Sequence, residues 1–262
     1  MSPLALHELE PSSAIRLLLF DVDDTFTQHA QIDAQALHAL WRWREAGRMA
    51  VAVTGRPAGW CDHFARMWPL DGVIGENGAF WFRHHPATRH MERQYIGQPE
   101  PGSALQMRLK AAQDLILAEF PHARISQDQA FRLYDLAIDF CEDVQGLTLD
   151  DAHRIAQRLR ELGMTAKVSS IHVNAWFGDH DKCTTSRRYL QDCHGLDLAQ
   201  QASSVVYVGD SPNDEPMFQA FPLSVGVANV EPHLPRMAHP PRFITPSAQA
   251  QGFVELVNQL LR

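Results

Sequence analysis

Four aspartates stand where folding alone does not ask for an acid. Asp21 and Asp23 end the apolar run 15–20, and Asp210 and Asp214 follow the apolar run 205–208. A single aspartate at a strand end is ordinarily a turn former or a helix cap. Two closely spaced pairs, each behind an apolar run, are a different signal, because carboxylates gathered at one edge repel one another unless a hard cation sits among them. An oxygen-only ligand set with few protein donors suits magnesium. A third apolar run, 49–53, is also stopped by polar residues, Thr54-Gly55-Arg56-Pro57, and Lys182 follows Asp181 much further along the chain.

These tips come from distant parts of the sequence, so the elements between them decide whether they meet. The run 15–20 reads as a strand buried on both faces of a parallel sheet, since its apolar residues are nearly continuous rather than alternating. A helical pattern over 33–45, with Leu37, Leu40 and Trp41 on one face and Gly47 as its stop, leads to a strand over 49–53. Strand, helix, strand with short links implies a right-handed crossover and a parallel sheet. Ligands of such sheets bind beyond the carboxyl ends of the strands, which is where the polar tips would lie. The pattern resumes after Lys182 with a helix to about 193, a strand over 205–208, the turn Gly209-Asp210-Ser211-Pro212-Asn213-Asp214, another helix, short strands over 224–228 and 242–245, and a closing helix over 252–262. In between, a helix over 103–120, an alternating strand over 131–140, a helix over 149–162 and strand material over 165–177 read as an inserted α+β unit. The predicted fold class is α/β: a doubly wound parallel-sheet core at 1–90 and 178–262 with an α+β cap at 91–177.

The chain length of 262 residues suits one core with one sizeable insertion. Asp and Glu outnumber Lys and Arg by 31 to 23, and no basic run is long enough to track a nucleic-acid backbone. An anionic small-molecule substrate would therefore need a locally positive site, such as a metal ion. No apolar run approaches a membrane span, and the N-terminal residues do not read as a signal peptide. Cys61, Cys141, Cys183 and Cys193 lack C-x-x-C spacing and read as buried, reduced thiols, so the cytoplasm is the expected location.

Asp21-Val22-Asp23-Asp24-Thr25 resembles the first motif of the haloacid dehalogenase-like (HAD) superfamily. Thr54 is similar to the second motif, Lys182 to the third, and Gly209-Asp210-Ser211-Pro212-Asn213-Asp214 to the fourth. The resemblance continues through Glu76-Asn77-Gly78-Ala79, Gly226-Val227-Ala228-Asn229, and Ile244-Thr245 followed by Gly252-Phe253. An insertion between the second and third motifs resembles subfamily IIB, with its C2-type α/β cap, which includes Cof-type, sucrose-phosphate, trehalose-phosphate and mannosyl-phosphoglycerate phosphatases. One departure is Asp24, where many relatives have Gly.

The resemblance implies a magnesium-dependent phosphatase acting on a small phosphorylated metabolite, expected to be a sugar phosphate or a related monoester. Asp21 would attack phosphorus in line to form an aspartyl phosphate, which splits a hard hydrolysis into two easier steps. Asp23 would protonate the leaving oxygen and later take a proton from water. Thr54 would offer its hydroxyl and backbone amide, and Lys182 its charge, to the phosphoryl oxygens. By the same resemblance Asp21, the backbone carbonyl of Asp23 and Asp210 hold magnesium, and Asp214 supports them through water or Lys182. Arg56 is a candidate either for substrate binding or for a structural ion pair; Asn77, His172, Asn174 and Asn213 complete the substrate-binding candidates.

Two cap strands supply the specificity candidates. In 131–140, Tyr134, Leu136, Ile138 and Phe140 share one face and Asp135, Ala137 and Asp139 the other, so one face should pack and the other should be polar. Ser170, His172, Asn174 and Trp176 share a face of the later strand and would suit a sugar. The stretch Arg83-His84-His85-Pro86, with His90, reads as an exposed loop. Two other functions compete with hydrolysis: a phosphosugar mutase or phosphotransferase, which returns the phosphoryl group to sugar, and a non-enzymatic phospho-receiver module. A receiver is much shorter and places its acidic pair and phosphorylated Asp on different strands, unlike Asp21-Val22-Asp23. Gly72, Gly75 and Gly78 do not give a dinucleotide fingerprint.

Overall fold

The structure, a computed structural model, describes residues 2–96, 102–169 and 171–262. The first stretch contains β1 (Leu4–Ala5), β2 (Leu17–Phe20), the hairpin β3 (Thr27–Gln28) and β4 (Gln31–Ile32), α1 (Ala34–Glu45), β5 (Met49–Val53), α2 (Ala58–Met67), β6 (Gly72–Gly75), β7 (Phe80–His85) and β8 (His90–Tyr95). The middle contains α3 (Ser103–Glu119), β9 (Arg124–Ile125), β10 (Asp135–Asp139), α4 (Leu149–Glu161), β11 (Thr165–Val168) and β12 (His172–Trp176). The last contains α5 (Lys182–His194), α6 (Leu198–Gln201), β13 (Val205–Gly209), α7 (Glu215–Ala220), β14 (Leu223–Gly226), β15 (Phe243–Ile244) and α8 (Gln249–Leu260). No helix among the described residues is long and apolar enough to cross a membrane.

A nine-stranded sheet runs β1-β15-β14-β13-β2-β5-β6-β7-β8, parallel up to β6 and antiparallel over its last two pairings. Strand β2 is central because all four of its residues are apolar and fully buried. Its alternation serves two layers: Leu18 and Phe20 pack with Trp43, Phe64 and Leu256 of α1, α2 and α8, while Leu17 and Leu19 pack with Tyr189, Leu190 and Met217 of α5 and α7. This is the doubly wound core. Its neighbours in register are β5 and β13, with Phe20 opposite both Ala52 and Val208. The ends of the three strands that carry the candidate residues are therefore adjacent.

The inserted unit is a four-stranded antiparallel sheet, β11-β12-β10-β9, with α3 and α4 on one face. Leu136, Ile138, Val173 and Ala175 pack there against Ile116, Ile155 and Leu159. The opposite face carries Asp135, Asp139, His172, Asn174 and Trp176, every one of them buried. A solvated polar face does not describe β10: its polar side is covered by the core. The strand material expected over 165–177 is two strands of a hairpin, and Ser170 lies outside the described residues.

Other expectations shift locally. In α1 the buried stripe is Ala36, Ala39, Leu40 and Trp43, whereas Trp41 is 48% exposed. The i, i+3, i+4, i+7 spacing selects Trp43, whose indole N–H also donates to the Met49 carbonyl at 2.7 Å. The His-rich stretch is the β7–β8 hairpin, with His84 and His85 in the strand and the turn following. Strand β8, inside the span expected for the cap, pairs along β7 in the core sheet. Cys61 and Cys183 are buried as expected, whereas Cys193 is half-buried and Cys141 is exposed.

Candidate active site

Asp21 follows β2 directly, and its N–H still belongs to the sheet, donating to the Val208 carbonyl at 2.9 Å. Lys182, the first residue of α5, places Nζ 2.7 Å from Asp21 Oδ1 and 2.8 Å from Asp214 Oδ1. Its position is set from the neighbouring turn. Gly78, at φ +105°, lies so close to the Asp181 carbonyl that a Cβ would run into it, and Thr185 Oγ1 donates to the Gly78 carbonyl at 2.6 Å. Asp214 is fully engaged: Tyr207 OH donates to Oδ1 at 2.6 Å, and the N–H groups of Asp210 and Ser211 donate to Oδ2 at 3.0 and 3.3 Å. A side chain on Gly209 would collide with the Asp214 carboxylate, so glycine there lets Asp214 fold back. Asp210 is met by Asn229 Nδ2 at 3.1 Å and Thr25 Oγ1 at 3.5 Å.

Burial pushes the Asp21 carboxyl up to about 8, against the pull of Lys182 and with Asp214 and Asp23 adding to the rise. Burial, then Asp21 and Asp214, push Asp210 well above the carboxylate range. Burial works against the Lys182 ammonium, but the two aspartates outweigh it and hold its pKa above that of an ordinary lysine. One ammonium is thus too little charge for this cluster. Oxygens of Asp21, Asp210 and Asp214 lie within 4.8 Å of one another. A divalent cation fits this hard, oxygen-only set. With Asp214 already saturated, Asp21 and Asp210 are the carboxylates able to hold it, and Asp214 braces Lys182 and the 209–211 backbone.

Asp23 points away from that cluster. Arg56 Nε donates to both Asp23 oxygens at 2.9 and 3.0 Å, and Nη2 donates to Oδ1 at 2.8 Å. Arg56 also lies over Trp60, with Cζ 4.5 Å from the ring centroid, and reaches Glu142 at 3.0 Å and Asp128 at 3.5 Å. Thr54 is fully buried; its N–H belongs to the sheet, donating to the Ile74 carbonyl at 2.9 Å, and its Oγ1 accepts from Arg56 N at 3.0 Å. The hydroxyl hydrogen is what Thr54 retains for a ligand. Asp24, at φ 55°, takes the left-handed conformation that suits glycine, and is secured by Gln249 Nε2 on its carboxylate at 2.9 Å and Asn229 Nδ2 on its carbonyl at 3.1 Å.

The cap meets the core through charged side chains. Arg132 is buried and forks between Asp128 at 2.8 and 3.0 Å and Asp135 at 3.0 Å, while donating to the Gly55 carbonyl at 2.9 Å. Asn174 Nδ2 donates to Asp135 at 3.0 Å. His172 Nε2 lies 2.8 Å from Glu142 Oε2. Glu76, fully buried, accepts from the N–H groups of Ala58 at 2.9, Leu133 at 2.9, Tyr134 at 2.6 and Asp135 at 3.2 Å, tying the entry to β10 onto the core. Burial and then Asp135 push Glu76 up to about 8.

Asp21, Asp23, Arg56, His172, Asn174, Asp210 and Asn213 meet around one small cavity of about 20 Å³. Asn77 stands apart from it: it is buried at φ 55° against Gly55, and its Nδ2 has no partner among the described residues. Sequence reading missed Arg132, Asp128, Asp135 and Glu142 as a network, and no periodicity or motif marks them. Tyr207 was hidden in an apolar strand. Thr25, Glu76 and Asn229 lay within motifs already noted, without a role. A wider cleft of about 590 Å³ opens beside the small cavity and shares Ser169, Asp210, Ser211 and Asn213 with it.

Residues 18–131 match the haloacid dehalogenase-like hydrolase family. Over 252 residues the chain is 24% identical to a phosphoglycolate phosphatase of Methanothermobacter thermautotrophicus, covering 94% of this chain and 99% of that protein. Among solved structures, the Thermoplasma acidophilum 0175 protein superposes with a TM-score of 0.71 at 16% identity, covering 94% of this chain and 98% of that one. The sucrose-phosphatase from Synechocystis, solved in complex with sucrose and phosphate, gives 0.64 at 18% identity, covering 94% and 98%.

Proposed function

We propose that this chain, which belongs to the haloacid dehalogenase-like hydrolases and is a phosphatase, releases phosphate from a small metabolite through an aspartyl phosphate on Asp21. The observation that carries the reading is Lys182 held between Asp21 and Asp214 at the end of β2, beside Asp210. Magnesium, held by Asp21, Asp210 and the Asp23 carbonyl, would supply the positive charge that keeps Asp21 ionised and stabilises the phosphoryl oxygens. Asp21 forms a bond to phosphorus as the ester P–O bond breaks, and Asp23 gives its proton to the departing oxygen. Water then attacks the aspartyl phosphate, Asp23 takes a proton from it, and inorganic phosphate leaves with Asp21 restored. Thr54 through its hydroxyl and Lys182 through its ammonium hold the phosphoryl oxygens. Arg56, His172, Asn174 and Asn213 surround the rest of the substrate; Asn77 acts from behind, through Gly55.

A compact phosphorylated acid is the first candidate substrate, supported by the phosphoglycolate phosphatases among the relatives. A sugar phosphate is the second, supported by the adjoining 590 Å³ cleft and by the likeness to sucrose-phosphatase. The cap proper begins after Tyr95 in this reading, because β8 belongs to the core sheet. The cysteine spacing, without a C-x-x-C pair, supports a cytoplasmic location. The test is phosphate release from phosphoglycolate and from a panel of sugar monophosphates, before and after exhaustive chelation. Release that stops on chelation, returns with magnesium and is inhibited by calcium is expected. Full release after chelation would remove the metal from the scheme, and transfer to sugar without free phosphate would make the enzyme a mutase.

A further inference from the structure

Glu142 belongs to no motif read from the sequence, yet its two oxygens join two substrate-binding candidates across the cleft. Oε1 accepts from Arg56 Nη2 at 3.0 Å, and Oε2 lies 2.8 Å from His172 Nε2. The turn that presents it is firmly built. Asp139, 1% exposed at the end of β10, accepts from the N–H groups of Cys141, Glu142 and Asp143 at 2.9, 2.8 and 2.9 Å. The close approach of His172 holds the Glu142 carboxyl below the ordinary glutamate range, with Arg56 acting the same way against partial burial. On the core side, one nitrogen of Arg56 is shared: Nη2 serves Asp23 Oδ1 at 2.8 Å and Glu142 Oε1 at 3.0 Å.

We infer that Glu142 is a positioning residue: with the cap closed it fixes the Arg56 guanidinium, and through it the Asp23 carboxyl, in the orientation from which Asp23 serves the leaving oxygen. The inference rests on the reading of Asp23 as proton donor. Anchoring the Arg56 side chain at Trp60 and Glu142 removes its rotamer freedom before the substrate reacts. Proton transfer needs heavy atoms within roughly 3 Å, so a small loss of alignment is felt in the rate. Arg56 belongs to the core and Glu142 to the cap. Opening the cap therefore breaks this contact, and the acid is aligned only around an enclosed substrate.

The experiment measures leaving-group release in a single turnover for two substrates, a nitrophenyl phosphate, whose leaving group needs no proton, and an alkyl phosphate, whose leaving group does. Glu142→Gln keeps the shape of the side chain and removes its charge, and Glu142→Ala serves as a second variant. Both should lose about 10- to 100-fold on the alkyl substrate and less than about 3-fold on the aryl one, a part of the roughly 100- to 10,000-fold that acid catalysis supplies in full. Asp23→Asn should show the same selectivity, more strongly. Equal losses of the Glu142 variants on both substrates would reduce Glu142 to a support for cap closure and overturn the inference, as would no loss on either. If Asp23→Asn itself showed no selectivity, the underlying reading of Asp23 would fall, whereas selectivity in Asp23→Asn alone would overturn only the role of Glu142.

Discussion

Replacing Asp21 by Asn should abolish turnover and at the same time stabilise the metal-free protein. The carboxyl titrates near 3.8 in an unfolded chain and at about 8 in the folded one. Below pH 3.8 both states hold the proton and the group contributes nothing. Between these limits the unfolded chain alone ionises, so folding stability falls by about 1.4 kcal/mol for each pH unit as pH rises. Above pH 8 both states are ionised and the loss is constant. At pH 7 the wild-type protein therefore carries a penalty of at most about 4 kcal/mol, and at pH 5 about 2 kcal/mol, that a neutral amide does not incur. With roughly 2–4 °C of melting temperature per kcal/mol in a chain of this size, the variant should melt on the order of 10 °C higher at pH 7 and about 4 °C higher at pH 5. Thermal melts in chelator across pH 5–8 read this directly. On the proposed reading magnesium should narrow the gap, because a cation held by Asp21 and Asp210 in the folded wild type would relieve the same repulsion. Phosphate release should fall by about 10,000-fold or more, since an amide cannot attack phosphorus. A variant that melts below the wild type throughout this range would refute the electrostatic account, and near-normal release would refute the nucleophile.

Three further outcomes follow from individual contacts. Lys182→Met leaves Asp21 and Asp214 without their shared cation, so it should stop turnover and cost about 3–5 kcal/mol in urea unfolding; an unchanged midpoint would show that the ion pairs contribute no stability. Glu76→Ala removes the acceptor shared by the backbone N–H groups of Ala58, Leu133, Tyr134 and Asp135, with an expected loss of about 2–4 kcal/mol and faster proteolytic cleavage near residue 133. Asn174→Ala should lower kcat/KM for phosphoglycolate and for an aryl phosphate alike, because Asn174 braces Asp135, whereas His172→Ala should affect the larger or more polar substrate selectively; the opposite pattern would exchange their roles.

The sequence was most legible where one physical cause dominates. Strand β2 was readable because four apolar residues in a row can only be buried on both faces, and the acids after it were readable because nothing apolar follows. The hairpin β7–β8 was not, since Arg83, His84, His85 and Glu92 are polar enough to imitate a loop while the pairing from Phe80 to Tyr95 is held by backbone hydrogen bonds that composition does not report. The alternation in β10 was seen correctly and its meaning was not. A polar face of period 2 says only that the residues avoid hydrocarbon; whether water or Arg132 covers Asp135 depends on a core that arrives from elsewhere in the chain.

That same polar interface bears on how the site opens. Cap and core are joined near the cavity by Arg132 to the Gly55 carbonyl, Arg56 to Glu142 and Asp128, and Glu76 to three cap N–H groups. Desolvating such groups roughly offsets their mutual attraction, so each contact is worth little net free energy even though breaking one partner of a buried set is costly. An apolar seam of the same size would favour closure by about 25 cal/mol for each Å² covered and would hold the cleft shut. With Glu76 fixing the entry to β10 and Glu142 bonded to Arg56 at the cavity wall, an opening of the cap would break mainly ion pairs that water can replace. A phosphorylated ligand that binds the closed arrangement better can then shift the balance by its own differential affinity, which is what a site of about 20 Å³ requires if substrate is to enter and product to leave.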